Sequence, residues 1–323
     1  MRGVISWAIA IVITLAAVFF QRSTGPSHPA KELIEVNEGS FKAVFPRSLV
    51  RPGNNEPSTL LSIKIRCTPE DQKELIGAVL YYKRYPGTYN YTPVVPSFTV
   101  NENELIANAS IPVQPAAGKI TYYLQLIGHQ GIIVNSNHNI LRFRDHVPAV
   151  ILILHILFVF FAFLFSNFTG LYTFAGNVRI NPYALATILI LFTGGFILGP
   201  LVQKYAFGVY WSGWPLGGDM TDTKTLVAFL SWLAAYVVNR VPCSRAGFCR
   251  WRRYLYLAAA LITMAVYSIP HSTAGSEYDY KTGTVVTGNQ ETLWKRLNFS
   301  INPLKTCWNS LRCRPKPVCQ RQK

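Results

Sequence analysis

Residues 4–20, 149–165 and 184–203 are long runs of apolar side chains, and they constrain this chain more than any other feature. A hydrocarbon core about 30 Å thick is crossed by roughly 17–25 mainly apolar residues in helical form, because a helix satisfies its backbone polar groups within the segment. Apolar residues make up 50% of the chain, an ordinary share for a soluble domain. Their clustering is what points to a membrane protein. Two shorter runs, 225–239 and 254–269, extend the same pattern.

The first run comes after Arg2 and ends Ala17-Val18-Phe19-Phe20-Gln21, without a small-residue cleavage pattern. An uncleaved anchor is expected over a signal peptide, and either one exports the residues after it. Charge gives the orientation. Loops on the cytoplasmic side carry excess Lys and Arg near the spans, and residues 240–253 hold Arg240, Arg245, Arg250, Arg252 and Arg253 with no acid. Placing that loop and Arg179 inside yields five crossings, with residues 22–148 and the tail outside. The tail itself opposes nine Lys and Arg to Glu291 over 281–323, but most of this charge lies far from the last span, where its weight on topology is small. A re-entrant hairpin from the last two runs keeps the tail's side but sinks the Arg-rich turn to membrane depth, so crossing is expected.

Residues 31–147 carry short β-prone runs at 41–45, 60–66, 76–83, 94–100, 119–127 and 139–143, separated by breakers such as Pro46, Pro69, Pro86-Gly87, Pro115 and Gly118. That is the pattern of an antiparallel sandwich. Within the fifth run Ile120, Tyr122, Leu124 and Leu126 share one face, opposite Lys119, Thr121, Tyr123 and Gln125. The expected fold is a multipass α-helical membrane protein with an inserted extracytoplasmic antiparallel β-sandwich, immunoglobulin- or fibronectin-like in general architecture, although the disulfide-and-tryptophan spacing of a true immunoglobulin domain is missing. Its parts are an anchor (1–21), the sandwich (22–148), a four-helix transmembrane region with short loops (149–269) and a basic, Cys-containing tail (270–323). The expected setting is a bacterial inner membrane, N-terminus cytoplasmic, sandwich and tail periplasmic.

Net charge is +16, yet residues 31–147 balance twelve Lys and Arg against ten Asp and Glu. No concentrated phosphate-attracting patch results, and a nucleic-acid partner is excluded from the expectations. Tyr81, Tyr82, Tyr85, Tyr89 and Tyr91 furnish a sheet face or an aromatic platform for a partner or glycan. The connector Arg142-Phe143-Arg144-Asp145-His146-Val147-Pro148 is short, which predicts a stiff junction, and Pro148 suits the first turn of the next helix.

His155 falls about seven residues into the second span, where an ionisable group needs a polar partner or a cavity. Paired with His271 it is a low-ranked haem site. The outer loop 210–224, with Gly217-Gly218 as its tight turn, and the segment 268–280 supply an interfacial cluster of Asp219, Asp222, His271, Ser272, Glu277 and Asp279. That cluster serves to link the loops, to bind a divalent metal or small ligand, or to position His271 as a base; a serine hydrolase through Ser272 or Ser276 lacks its nucleophile elbow. Gly195 and Gly199 have the small-xxx-small spacing of close helix packing. Cys67, Cys307, Cys313 and Cys319 fall outside the membrane and allow two disulfides in any of three pairings; Cys243 and Cys249 fall inside.

No cofactor is expected, with haem and a divalent metal as the alternatives, and an enzyme is less favoured than a non-enzyme. The function expected is a non-catalytic accessory or assembly subunit of a membrane complex, whose partners are other membrane subunits, lipid headgroups or a second copy of the chain. The alternatives are a redox or metal-dependent membrane enzyme using His155, His271 and the outer carboxylates, and an envelope receptor or sensor.

Overall fold

The computed structural model describes residues 2–25, 28–36, 39–53, 56–73, 75–101, 103–131, 133–175, 179–242, 251–269 and 275–286. His271, Ser272, Cys243, Cys249, Cys307, Cys313 and Cys319 lie outside the described residues, as does the tail beyond residue 286.

The chain is an integral membrane protein. Three helical stretches, Gly3–Ser23, Ala149–Ala175 and Asn181–Phe207, are long and apolar enough to cross a bilayer. They correspond to α1 (Arg2–Thr24), α3 (Ala149–Tyr172), and a rod made of α4 (Asn181–Phe192), a π-helical turn (Thr193–Leu198) and α5 (Gly199–Phe207). Pro200 lacks the N–H that a regular ladder would use, and the rod widens to i→i+5 bonding just before it. α6 (Met220–Arg240) and the 14-residue α7 (Leu255–Ser268) complete the bundle. Trp232 and Ala228 of α6, Tyr256 and Ala260 of α7, Ala184 of α4 and Ala162 of α3 form its core. Small residues dominate that core, as expected where helices associate by close packing in lipid.

Between α1 and α3 lies a β-domain whose two sheets pack on one core. The strands are β1 (Ala30–Val36), β2 (Gly39–Phe45), β3 (Ser48–Val50), β4 (Ser58–Arg66), β5 (Leu75–Tyr85), β6 (Thr92–Val94), β7 (Ser97–Asn101), β8 (Glu104–Pro112), β9 (Lys119–Gly128), β10 (Ile133–Asn135) and β11 (Asn139–Arg144). One sheet runs β1-β2-β4-β8-β7; the other runs β3-β11-β9-β5-β6, with β10 beside β9. Period-2 alternation decides what is inside: Leu61, Ile63 and Ile65 of β4 meet Ile120, Tyr122, Leu124 and Leu126 of β9, all at most 1% exposed. A short helix, α2 (Pro69–Lys73), links β4 to β5.

The domain is not wholly antiparallel, because β3 pairs in parallel with β11. The reason lies at Pro46, which cannot donate to the ladder and so ends β2. The chain then continues in the same direction in the opposite sheet. Tyr122 holds this crossing point: its hydroxyl donates to Pro46 O at 2.6 Å, and burial pushes the phenol above its ordinary pKa, so it stays a donor in mild alkali. Tyr122→Phe removes one buried hydrogen bond and leaves the Pro46 carbonyl without its partner. A loss of about 1–2 kcal/mol is expected, read as a lower thermal midpoint of the purified chain with unchanged secondary structure.

Cys67 sits in the β-domain core and forms no disulfide among the described residues; burial raises its pKa.

Candidate functional site

The β-domain meets one end of the helix bundle. The linker is stitched down twice, by Asp145 N–H donating to Ala206 O (3.0 Å) and by Arg51 Nη1 bound to Asp145 Oδ1 (2.7 Å). The same end receives the start of α3, the end of α5, the start of α6 and the end of α7. α1 also ends there, since the Gln21 amide donates to Tyr267 O on α7.

The loop 208–219 is folded by two carboxylates. Asp219 is the N-cap of α6, its Oδ1 accepting from Thr221 N at 2.7 Å. This is the usual device for satisfying orphan N–H groups at a helix start. Asp222 Oδ2 accepts from Ser212 N at 2.7 Å, and the Ser212 hydroxyl reaches both Asp219 Oδ2 (3.1 Å) and Asp222 Oδ2 (3.2 Å). The Gln203 amide fits with its nitrogen toward Asp222 Oδ2 (3.0 Å) and Tyr210 O (3.2 Å), and its oxygen toward Ser212. Gly213 makes the close approach possible: a Cβ there would lie 2.5 Å from Asp222 Cβ and 2.7 Å from Thr223 N.

Two cations complete the roof. Lys224, 6% exposed, donates to Ile269 O at 2.5 Å. Arg142 on β11 donates through Nη2 to Ser276 O (2.6 Å), and its guanidinium lies 4.0 Å from the Phe207 ring centre. Burial pulls the Arg142 pKa down while Asp219 and Glu277 push it back up; a guanidinium remains charged under such opposing shifts. Gly275 leaves room for this arrangement, since a Cβ would stand 3.0 Å from Arg142 Nη1 and 3.4 Å from Asp219 Oδ2. After it comes a hairpin of β12 (Glu277–Asp279) and β13 (Thr284–Val286), which lies on the β-domain through Tyr278 N to Ala117 O (3.2 Å), Tyr280 OH to Lys119 O (3.2 Å) and the Lys119–Glu277 ion pair at 2.5 Å.

Of the six residues expected to cluster, Asp219 and Asp222 share Ser212, and Glu277 joins them electrostatically through Arg142. Asp279 instead turns its own hairpin, accepting from Lys281 N (2.8 Å) and Thr282 Oγ1 (3.1 Å), and the Lys281 N–H lowers its pKa first among several donors. His271 and Ser272 fall outside the described residues. Arg142, Lys224, Ser212 and Gln203 have no place in the sequence expectation for this cluster.

Beneath the roof a cavity of about 370 Å³ enters the bundle. His155 lines it and donates from Nδ1 to Gly194 O at 3.0 Å; a carbonyl only accepts, so this nitrogen carries the proton. The π turn sets the spacing around the cavity. A Cβ on Gly194 would come within 3.2 Å of the α3 backbone at Phe158 and Val159, one on Gly195 within 2.5 Å of Thr225 Cγ2 on α6, and one on Gly199 within 3.6 Å of His155. The glycine row thus seats the rod against α3 and α6 together. At the deep end lie Ser166, Thr187, Trp232 and Thr263, with Trp232 Nε1 donating to Thr263 Oγ1 at 3.0 Å. Among the described residues no group of three or more His, Cys, Asp or Glu could hold a metal ion.

No protein-family model matches the chain, and no curated protein does. Among solved structures, the chain has a likeness to that of Astrotactin-2, described as a conserved vertebrate-specific and perforin-like membrane protein involved in neuronal development. Identity is 11% and the TM-score 0.22, over 72% of this chain and 37% of that one. This chain therefore spans little more than a third of that protein's structure, and a score so low informs neither fold nor function.

Proposed function

We propose that this chain is a non-catalytic accessory or assembly subunit of a membrane complex, crossing a bacterial inner membrane five times with its N-terminus in the cytoplasm and its β-domain and tail in the periplasm. The observation that carries the reading is the seam between β-domain and bundle. Asp145–Ala206, Arg51–Asp145, Arg142–Ser276 and Lys224–Ile269 tie five segments of chain into one body. A module so fixed presents its surfaces at a set height and angle relative to the helix bundle, which suits docking. Both roof carboxylates are spent on the loop's own donors, which argues for a structural role over catalysis.

Several features support the topology and the finer fold. Five helix ends gather at the β-domain end, while Arg179 and Arg240 stand at the opposite ends of their helices, as the positive-inside bias requires. The order β2-β4-β8-β7 facing β11-β9-β5-β6, with β3 as a first strand split between sheets, follows the connectivity of immunoglobulin-like sandwiches.

The proposed docking surface is the aromatic face of β5 and β9. Tyr81 and Tyr123 stack at 5.0 Å, Tyr91 stands edge-on to Tyr123 at 5.2 Å, and Lys83 Nζ lies 4.6 Å from the Tyr91 ring centre. Such faces combine large contact area with low conformational cost. Full-length protein extracted in native lipid is expected to carry one stoichiometric membrane partner, lost on Tyr123→Ser without loss of folding. Isolation as a lone monomer, or a partner indifferent to Tyr123→Ser, contradicts the reading. A receptor would use the same face, and is distinguished by a soluble envelope ligand bound in place of a subunit.

A further inference from the structure

The cavity under the roof has the shape and chemistry of a ligand site. Its floor is about ten residues along α6 from its roof, from Asp222 to Trp232, or about 15 Å at the helical rise. A cavity of that depth with mainly apolar walls accommodates an extended hydrocarbon chain. Its walls between the ends are mainly apolar, with Val159, Phe163, Leu191, Val202 and Ala228 among them, interrupted by His155 and Thr225.

Each end holds donors that nothing among the described residues uses. At the roof Arg142 Nε is buried without a partner. Lys224 has three ammonium protons and spends one on Ile269 O. Asp219 and Asp222 hold the Ser212 and Thr221 donors and Asp219 lends Arg142 a facing charge, while Arg142 Nε and two Lys224 protons are left for a bound acceptor. At the floor Ser166 is fully buried, lines the cavity, and its hydroxyl has no partner. This is unusual for a helical hydroxyl. Thr187, Thr225 and Thr263 in the same bundle each bond the carbonyl four residues back, the ordinary resort of such groups away from water. A buried hydroxyl left unmade costs free energy that a bound polar atom would restore.

We propose that the bore binds a linear hydrocarbon chain bearing oxygen at both ends: an acceptor head, carboxylate or carbonyl, against Arg142 and Lys224, and a hydroxyl or carbonyl oxygen at Ser166. The apolar wall holds the chain, the roof orients it, and Ser166 measures its length. The proposal stands apart from the accessory role, since a lone monomer that binds such a chain satisfies this one and not the other.

The test uses the full-length protein in lipid nanodiscs and two probes, 12-hydroxydodecanoate and dodecanoate, titrated calorimetrically. The wild-type protein is expected to bind the hydroxy acid roughly five-fold tighter, the worth of one net hydrogen bond. Ser166→Ala brings the two affinities together by weakening only the hydroxy acid. Ala228→Phe, which fills the bore, abolishes both. Absence of binding by either probe overturns the proposal, as does equal affinity in the wild type or a preference that survives Ser166→Ala. Mass spectrometry of the molecules retained in native-lipid preparations then separates two sources of the same chemistry, a free acid or an oxygenated chain esterified in a lipid, either of which supports the site. Bulk lipid alone, with no enriched oxygenated chain, counts against it.

Discussion

Arg142→Ala is expected to lower the stability of the purified protein by about 3 kcal/mol and to release the β12–β13 hairpin from the β-domain. Three losses add up at this position. The charge-assisted bond to Ser276 O is removed, a contact class worth about 1.5–3 kcal/mol. The stacking of the guanidinium on Phe207 goes with it, worth up to about 2 kcal/mol where water is excluded. Asp219 and Glu277 also lose the positive charge that faces them both. Arg142→Lys recovers little, because an ammonium can neither lie flat on the ring nor reach Ser276 with the same fork. The measurement is a thermal melt together with limited proteolysis of the hairpin, residues 275–286. Cleavage there should accelerate in both variants, and wild-type protection in Arg142→Ala would show that the hairpin is held without Arg142, by Lys119–Glu277, Tyr280 and the Tyr278–Ala117 bond.

Gly213→Ala is expected to cost about 3 kcal/mol, a large effect for one methyl group on a loop. The new carbon would sit 2.5 Å from Asp222 Cβ and 2.7 Å from Thr223 N, and the second obstacle is backbone in the first turn of α6, which cannot swing aside. The loop must lift, so overpacking strain is joined by loss of the Ser212–Asp222 bonds. Gly53→Ala serves as the control: nothing among the described residues lies within 4 Å of its added carbon, and a change within about 0.5 kcal/mol is expected there. Equal melting of the two variants would mean that the Ser212–Asp222 pairing contributes little.

The parts of this structure that local pattern can encode are legible in the sequence. Ile120, Tyr122, Leu124 and Leu126 alternate and are all buried, and the three longest apolar runs form the three helices that meet the length of a bilayer. The parallel pairing of β3 with β11 is not legible, because it joins residues more than ninety positions apart and turns on where the chain crosses at Pro46. The roof failed to emerge for a related reason. Asp219 and Asp222 stand out as acids beside an aromatic loop, but Arg142 reads as one of several charges closing a strand, and Lys224 as the last residue of a loop. Only the fold brings them to one place. The tight turn attributed to Gly217-Gly218 also has a counterpart the sequence conceals: Gly213 carries the close approach, and its role depends on the first turn of α6 lying beneath it. His155 is the opposite case. A histidine inside an apolar span demands a polar partner, and the π turn supplies one in Gly194 O.

The hydrogen bond from Asp145 to Ala206 has a mechanical consequence. The helix leaving this junction runs 27 residues, Ala149–Ala175, or about 40 Å at the helical rise, against a hydrocarbon thickness of about 30 Å. A span that long meets the mismatch by leaning. Because the β-domain is pinned to both α3 and α5, it leans with them, and thinning or thickening of the surrounding bilayer swings its aromatic face through an arc above the lipid. Membrane thickness thus becomes a variable that sets the angle at which the domain stands.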